Sequence, residues 1–234
     1  MFVAGVDGCK GGWVAVFRHA KTRTSFVRFA ETLAAIVDAP ERPRWIAVDM
    51  PMGFADIAEP GGRACERAAR RILGPAGRAS CVFSAPSRGA LDAQDYPGAL
   101  ARNREGRGVG LSKQAFNLFP KLREVDALLR ARPGIGVFES HPEIVFARMA
   151  GAPLRAAKKT PEGRAARLAL LAQAGFDDAG HWCGLFARKT VAPDDVLDAA
   201  AVCATALRRA RGLAEPLPAA PPCDRYGIEM AIWR

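Results

Sequence analysis

Apolar runs separated by short polar segments divide the first fifty residues of the chain. The predicted elements are, in chain order, strands over 2–6, 13–17 and 24–29, a helix over 31–37 and a strand over 45–48. The Gly-rich segment 8–12 joins the first two strands as a hairpin. The order β-β-β-α-β predicts a fourth strand parallel to the first through a helical crossover. It excludes a dinucleotide-binding fold, which begins β-α-β, and a barrel.

Helical patterns dominate the remainder of the chain. The later predicted elements are helices over 63–73, 97–104, 113–132, 140–149, 161–174 and 193–211, with strands over 134–138 and 226–233. We interpret 61–133 as a mainly helical insertion between sheet strands, large enough to form a partner or homodimer surface. The 234 residues are expected to form one domain over 1–234.

Three acidic residues share one setting, because each ends an apolar strand and precedes a turn or helix start. They are Asp7, Asp49 and Glu139. Neighbouring strands lie about 4.8 Å apart, so acids at the ends of parallel neighbours come within reach of one cation. Asp198 lies beyond the first turn of the last helix, where helix capping does not account for an acid. The alanines that follow it would let this helix lie close on the sheet.

These four acids are the candidate catalytic and metal-binding residues. Carboxylates without spaced Cys or His ligands suit Mg²⁺ or Mn²⁺. Two such ions about 4 Å apart would activate water and stabilise the leaving oxygen in phosphodiester cleavage. We expect Asp7 and Asp49 to be shared ligands, with Glu139 and Asp198 completing the two sites and no protein nucleophile.

Two features near the fifth strand have competing explanations. Ser140 and Glu143 match a capping box at the start of the following helix, which accounts for Glu143 without any catalytic role. His141, close to Glu139, is a candidate for proton transfer or substrate contact, or equally a packed residue of the first helical turn.

Three basic residues are candidate substrate contacts. Lys10, in the Gly-rich turn after Asp7, would reach a phosphate together with backbone N–H groups, although a tight hairpin also requires glycine there. Arg88 and Lys158 lie in polar connections that could hold a substrate phosphate or simply face solvent.

The charge balance favours an anionic partner. The chain carries 34 Lys and Arg against 24 Asp and Glu, a formal net charge of +10, which attracts polyanions such as nucleic acid. Many of the arginines lie on predicted helices, where they could instead form a solvated face. Six cysteines without a CxxC pair indicate reduced thiols. No apolar run approaches the length of a membrane span, so we expect a cytoplasmic protein.

A set of motifs along nearly the whole chain resembles the DUF429 family. The motifs occupy residues 5–13, 48–53, 82–88, 120–126, 139–143, 158–160 and 194–199. That family is described as predicted nucleases with a ribonuclease-H fold. The resemblance implies a ribonuclease-H-like mixed sheet flanked by helices, with metal-site acids at Asp7, Asp49, Glu139 and Asp198. It also adds Lys121 to Arg88 and Lys158 as motif residues that could contact substrate.

Three functions are compatible with this sequence. The leading hypothesis is a metal-dependent nuclease or related phosphodiesterase, a hydrolase that acts on DNA or RNA. The second is a non-catalytic nucleic-acid-binding or protein-interaction module on the same core. A sugar-kinase-like phosphotransferase is a third, but such proteins generally need two lobes of this kind around ATP, and 234 residues supply only one.

Overall fold

The computed structural model describes residues 1–234 and contains one main sheet and one small one. The strands are β1 (Phe2–Cys9), β2 (Gly12–His19), β3 (Ser25–Ala30), β4 (Trp45–Asp49), β5 (Val137–Glu139), β6 (Pro216–Leu217) and β7 (Ile232–Trp233). The main sheet has five strands in the order β3-β2-β1-β4-β5, and β6 pairs with β7. β1, β2 and β3 are antiparallel neighbours, whereas β4 is parallel to both β1 and β5.

Ten α-helices accompany the strands. They are α1 (Leu33–Val37), α2 (Ala64–Leu73), α3 (Arg88–Leu91), α4 (Tyr96–Arg104), α5 (Lys113–Asn117), α6 (Phe119–Ala131), α7 (Pro142–Ala150), α8 (Pro161–Gln173), α9 (Ala179–Trp182) and α10 (Pro193–Ala210). Five of them, α2 to α6, come between β4 and β5 in the chain. None of the ten combines the length and the hydropathy that a membrane span requires.

The predicted β-β-β-α-β opening and the mixed α/β class are confirmed. The hairpin closes where Cys9 pairs with Gly12, and the crossover through α1 makes β4 parallel to β1. Two later elements differ from the prediction. The helix predicted over 113–132 is two helices, because Pro120 begins a new first turn and has no N–H to continue the previous helix.

The last predicted strand, over 226–233, shortens to Ile232–Trp233. The preceding residues form a turn around Asp224, whose carboxylate accepts hydrogen bonds from the backbone N–H groups of Tyr226 and Ile228. A side chain that caps its own local backbone in this way competes with strand pairing.

Helices cover both faces of the main sheet, so its strands are apolar on both sides. Alternate residues of a strand point to opposite faces. Val3 of β1 and Ala47 of β4 pack in the cluster that contains α10, whereas Ala4 and Val48 pack in the cluster that contains α1 and α6. We call the first of these the α10 face and the second the α6 face.

α10 lies very close to the centre of the sheet. A Cβ atom built on Gly5 of β1 would come within 2.1 Å of the backbone nitrogen of Cys203 and within 2.2 Å of the carbonyl oxygen of Ala199. Residues 199–201 of α10 are alanines with no exposed surface. Small residues on α10 and β1 therefore allow the helix to pack this close to the sheet, as the alanines after Asp198 predicted.

We predict that Gly5→Ala lowers the free energy of unfolding by about 3 kcal/mol, at the severe end of overpacking, because the clash is with helix backbone that has no rotamer to change. Urea unfolding followed by circular dichroism measures the change. Gly89→Ala is the matched control, since a Cβ there meets nothing within 4 Å and lies in a helix. Equal stability of the two variants would contradict the close contact.

Candidate metal centre

Asp7 and Asp49 are the last pair of residues where β1 and β4 run side by side; β4 ends at Asp49, whereas β1 continues to Cys9. They are direct partners in the register of β1 with β4. Asp7 is two residues beyond Gly5 and Asp49 two beyond Ala47, so both side chains point to the α10 face. The sequence expectation that these two acids lie together is therefore met by the register.

Asp198 reaches the same place from the helix above. It lies in the first half of α10, immediately before the alanines that pack on the sheet, and it is 3% exposed. Carboxylate oxygens of Asp7, Asp49 and Asp198 all lie within 4.8 Å of one another. We call these three residues the aspartate triad.

The triad is electrostatically costly without a cation. Burial, and next the charge of Asp49, raise the pKa of Asp7 well above its ordinary value. Burial also raises the pKa of Asp49 to about 6, which the positive charge of His141 opposes. The pKa of Asp198 is raised by burial, although Lys158 counteracts part of this effect. Several carboxyl groups with shifted pKa values in one place are typical of functional sites.

Lys158 is the cation closest to the triad. Its Nζ donates to Oδ2 of Asp198 at 2.7 Å and lies 3.4 Å from Oδ2 of Asp194. The other oxygen of Asp198, Oδ1, is buried and accepts no hydrogen bond. An unsatisfied buried carboxylate oxygen is rare in a folded protein, and a bound cation is one of the explanations for it.

A cavity of about 170 Å³ gives access to Asp7 and Asp49. Lys121 and His141 line it. The Lys121 ammonium donates to the carbonyl oxygen of Gly12 and lies 4.4 Å from the centre of the Trp13 ring. These two predicted substrate contacts therefore lie beside the carboxylates. A larger cavity of about 750 Å³ beside β5 contains none of the triad residues.

Glu139 does not join the triad, because it points to the opposite face of the sheet. It is the register partner of Val48, not of Asp49, so it shares the α6 face with Val48. The Arg63 guanidinium donates to both of its oxygens, at 3.0 and 2.8 Å, and the N–H of Met52 donates to Oε2. Glu139 lines the same cavity as Asp7 and Asp49, but its oxygens are not among those that lie within 4.8 Å of one another, so its part as a metal ligand stays a prediction.

The Arg63 cluster is a structural network on the α6 face. Arg63 also donates to the carbonyl oxygens of Met52 and Gly53 and to Glu66, whose Oε1 accepts from the N–H of Ala85 as well. Arg63 and Glu66 are both nearly inaccessible to solvent. A buried ion pair with this many hydrogen bonds fixes the loop after β4, and removing one partner would leave a buried charge.

The capping box predicted at Ser140 is wrong. His141 is the N-cap of α7, and Glu143 accepts from Arg167 at 2.6 Å instead of closing the box. The Ser140 hydroxyl donates to the carbonyl oxygen of Trp233 at 2.9 Å, and it lies 3.2 Å from the hydroxyl of Thr205 in α10, which can donate to it. Two partners far away in the chain therefore replace the local cap. Glu143 has a structural role, as expected, but through Arg167.

Arg88 and Lys10 lie away from the triad cavity. Arg88 is buried, forms two 2.9 Å hydrogen bonds with Asp126 and also pairs with Asp224. It thus ties α3 to α6 and to the C-terminal turn, and nothing in its contacts supports the expected substrate role. Lys10 is exposed in the β1–β2 turn.

Two important residues gave little signal in the sequence. Arg63 was placed only as the start of a helix, and its partners are 3 and 76 residues away in the chain. Lys158 was expected to contact phosphate, but it contacts Asp198, 40 residues away. The only local signal for Arg63 was Glu66 three residues later, a spacing common on any helix.

Comparisons with known proteins identify one family. A family model described as "Protein of unknown function (DUF429)" matches residues 5–222, which is nearly the whole chain. Neither the curated proteins nor the solved structures contain a match. The matched region contains residues 5–9 of β1 and the whole of β4 and α10, and with them the whole aspartate triad. The chain belongs to the DUF429 family.

Proposed function

We propose that this protein is a divalent-cation-dependent nuclease or phosphodiesterase that acts on nucleic acid. The observation that carries the proposal is the aspartate triad: three carboxylates from two strands and a helix, with Asp7 and Asp198 buried and Asp49 half-buried, whose oxygens lie within 4.8 Å of one another. Packing alone does not favour such a group, because like charges in a buried place repel. In this proposal a bound cation relieves the repulsion among the carboxylates, and this relief contributes to its affinity.

We also propose a ribonuclease-H-like core for this fold. Three antiparallel strands, followed through a helix by strands parallel to the first, with the order β3-β2-β1-β4-β5, support that assignment. In such a sheet the carboxyl ends of β1 and β4 form one edge, which is where ligands of open α/β sheets bind. Fold alone does not establish an activity, so the argument for catalysis rests on the site.

The donor set of the triad fits Mg²⁺ or Mn²⁺. All three ligands are hard carboxylate oxygens, and the free Oδ1 of Asp198 is an available buried lone-pair donor. When bound, a divalent cation supplies positive charge to a phosphate and acidity to a water molecule. Asp7, Asp49 and Asp198 would hold it, and the cavity would admit the substrate to Asp7 and Asp49.

The remaining residues of the cavity have separate tasks in this proposal. Lys121, fixed by Gly12 and Trp13, presents an ammonium group beside Asp7 and would orient a substrate phosphate. His141 has a ring nitrogen, Nδ1, without a hydrogen-bond partner, and we assign it the transfer of a proton at the cavity wall. The net charge of +10 favours a polyanionic substrate.

We predict that the protein cleaves labelled DNA or RNA oligonucleotides in the presence of Mn²⁺ or Mg²⁺. Asp49→Asn keeps the size of the side chain but removes a ligand charge. This variant should cleave at least about a hundredfold more slowly than the wild type. Loss of a residue that only supports a metal ligand costs up to about a hundredfold in activity, and Asp49 is itself a proposed ligand. Single- and double-stranded substrates, separated on denaturing gels, measure the effect.

Asp56→Asn is the matched control for this experiment, because Asp56 is exposed and pairs only with Arg225 at the surface. Without cation, Asp49→Asn should unfold at no lower temperature than the wild type, since it relieves repulsion. Cleavage that persists in Asp49→Asn would come from a contaminant. Salt-dependent binding without any cleavage would favour the non-catalytic module, and ATP binding the phosphotransferase.

We predict that stabilisation by Mn²⁺ depends on pH. The pKa of Asp49 is raised to about 6 in the folded protein, so the folded state holds this proton more tightly than the unfolded state does. Without cation, the stability contributed by Asp49 is therefore lost as pH rises from about 4 to about 6. The rise in Tm on adding Mn²⁺ should be large at pH 7.5 and small at pH 5. A rise in Tm that is the same at both pH values would contradict this account.

A further inference from the structure

The arrangement around Asp198 bears on how many cations the triad takes. Its two oxygens differ: Oδ2 accepts from Lys158 at 2.7 Å, and Oδ1 is buried with no partner. Asp198 as a whole is only 3% exposed. One oxygen is thus already bound to a positive group, and one is left for a cation.

The charges of the group balance with one divalent ion. The triad carries three negative charges when ionised, and the Lys158 ammonium reduces this to two. The Lys158 ammonium forms ion pairs with Asp198, at 2.7 Å, and with Asp194, at 3.4 Å. A second divalent ion would bring an excess of positive charge unless further carboxylates joined.

The further acids near the triad are already paired with other groups. Glu139 points to the other face and is held by Arg63. Asp195 accepts from the N–H of Ala192 at the start of α10, and Asp194 lies 3.4 Å from Lys158 itself. Glu143, whose charge also acts on Asp198, accepts from Arg167 at 2.6 Å through Oε1, and its Oε2 is buried without a partner. Each acid that could have formed a second site therefore already has a partner elsewhere in the fold.

We infer that Lys158 takes the place of a second metal ion, so that the aspartate triad binds a single divalent cation. This inference rests on the proposed function and deepens it. The ammonium group supplies a fixed positive charge on the α10 side of the site, and it leaves Oδ1 of Asp198 as the oxygen for the cation. The inference replaces the two-ion arrangement that the sequence suggested.

The test is the number of Mn²⁺ ions bound, measured by isothermal titration calorimetry and by electron paramagnetic resonance. The wild type should bind one ion per chain, with the spectrum of an isolated Mn²⁺. Lys158→Met keeps the alkyl chain but removes the charge. It should bind the first ion about tenfold more tightly or better, because a like charge beside the ion is gone, and should admit a second, spin-coupled ion.

Two variants control for other effects of the substitution. Lys159→Met changes the neighbouring lysine, which is exposed, and should behave as the wild type does. Lys158→Arg retains the charge and should bind one ion only. Circular dichroism spectra and Tm values of all variants, without cation, show whether each is folded.

Each result bears on the inference. Two coupled ions in the wild type, or unchanged affinity in Lys158→Met, would overturn the role of Lys158 but leave the proposed function standing. Absence of Mn²⁺ binding in every folded variant would overturn the proposed function as well.

Discussion

Repulsion among three closely spaced carboxylates, two buried and one half-buried, is the constraint around which this structure is organised. Asp7 and Asp49 lie side by side because β1 and β4 are parallel and in register, and Asp198 is brought to them by α10. Burial raises the pKa of each of them. The fold keeps the three together because the elements that carry them are fixed elsewhere, by the apolar clusters on both faces of the sheet.

The contact between α10 and β1 provides most of this positioning. Because Gly5 has no side chain, the backbone of α10 packs closer to β1 than any other residue there would allow. The alanines of α10 pack against the sheet with small side chains. Asp7 is two residues beyond Gly5, and Asp198 comes directly before the alanines. The contact that packs the core therefore also sets the separation of the carboxylates. In this account, binding a cation relieves the repulsion that this contact enforces.

The sequence predicted most of this arrangement because the strongest signals were local. The strand end at Asp49 and the small residues after Asp198 were visible in the apolar pattern and are confirmed, whereas β1 continues past Asp7 to Cys9 and only its parallel pairing with β4 ends at Asp7. Glu139 looked equivalent to them, since it also ends an apolar strand. It differs by the one-residue offset of β5 against β4, which sends its side chain to the other face.

That offset could not be obtained from the sequence, because register between parallel strands depends on long-range packing. The same limit applies to Arg88 and Lys158. Each was recognised as a basic residue in a polar connection, but its partners lie far away in the chain: Asp126 and Asp224 for Arg88, and Asp198 for Lys158. Local patterns indicate which residues are charged; tertiary contacts decide whether a charge is a structural partner or part of the site.

The central claim is that the aspartate triad is one cation site. Crystals soaked in Mn²⁺, with data collected for anomalous scattering, test it most directly. The account predicts an anomalous peak bounded by carboxylate oxygens of Asp7, Asp49 and Asp198, with Glu139 still bound to Arg63. No peak at the triad, or an ion coordinated by Glu139 in place of Asp198, would contradict it.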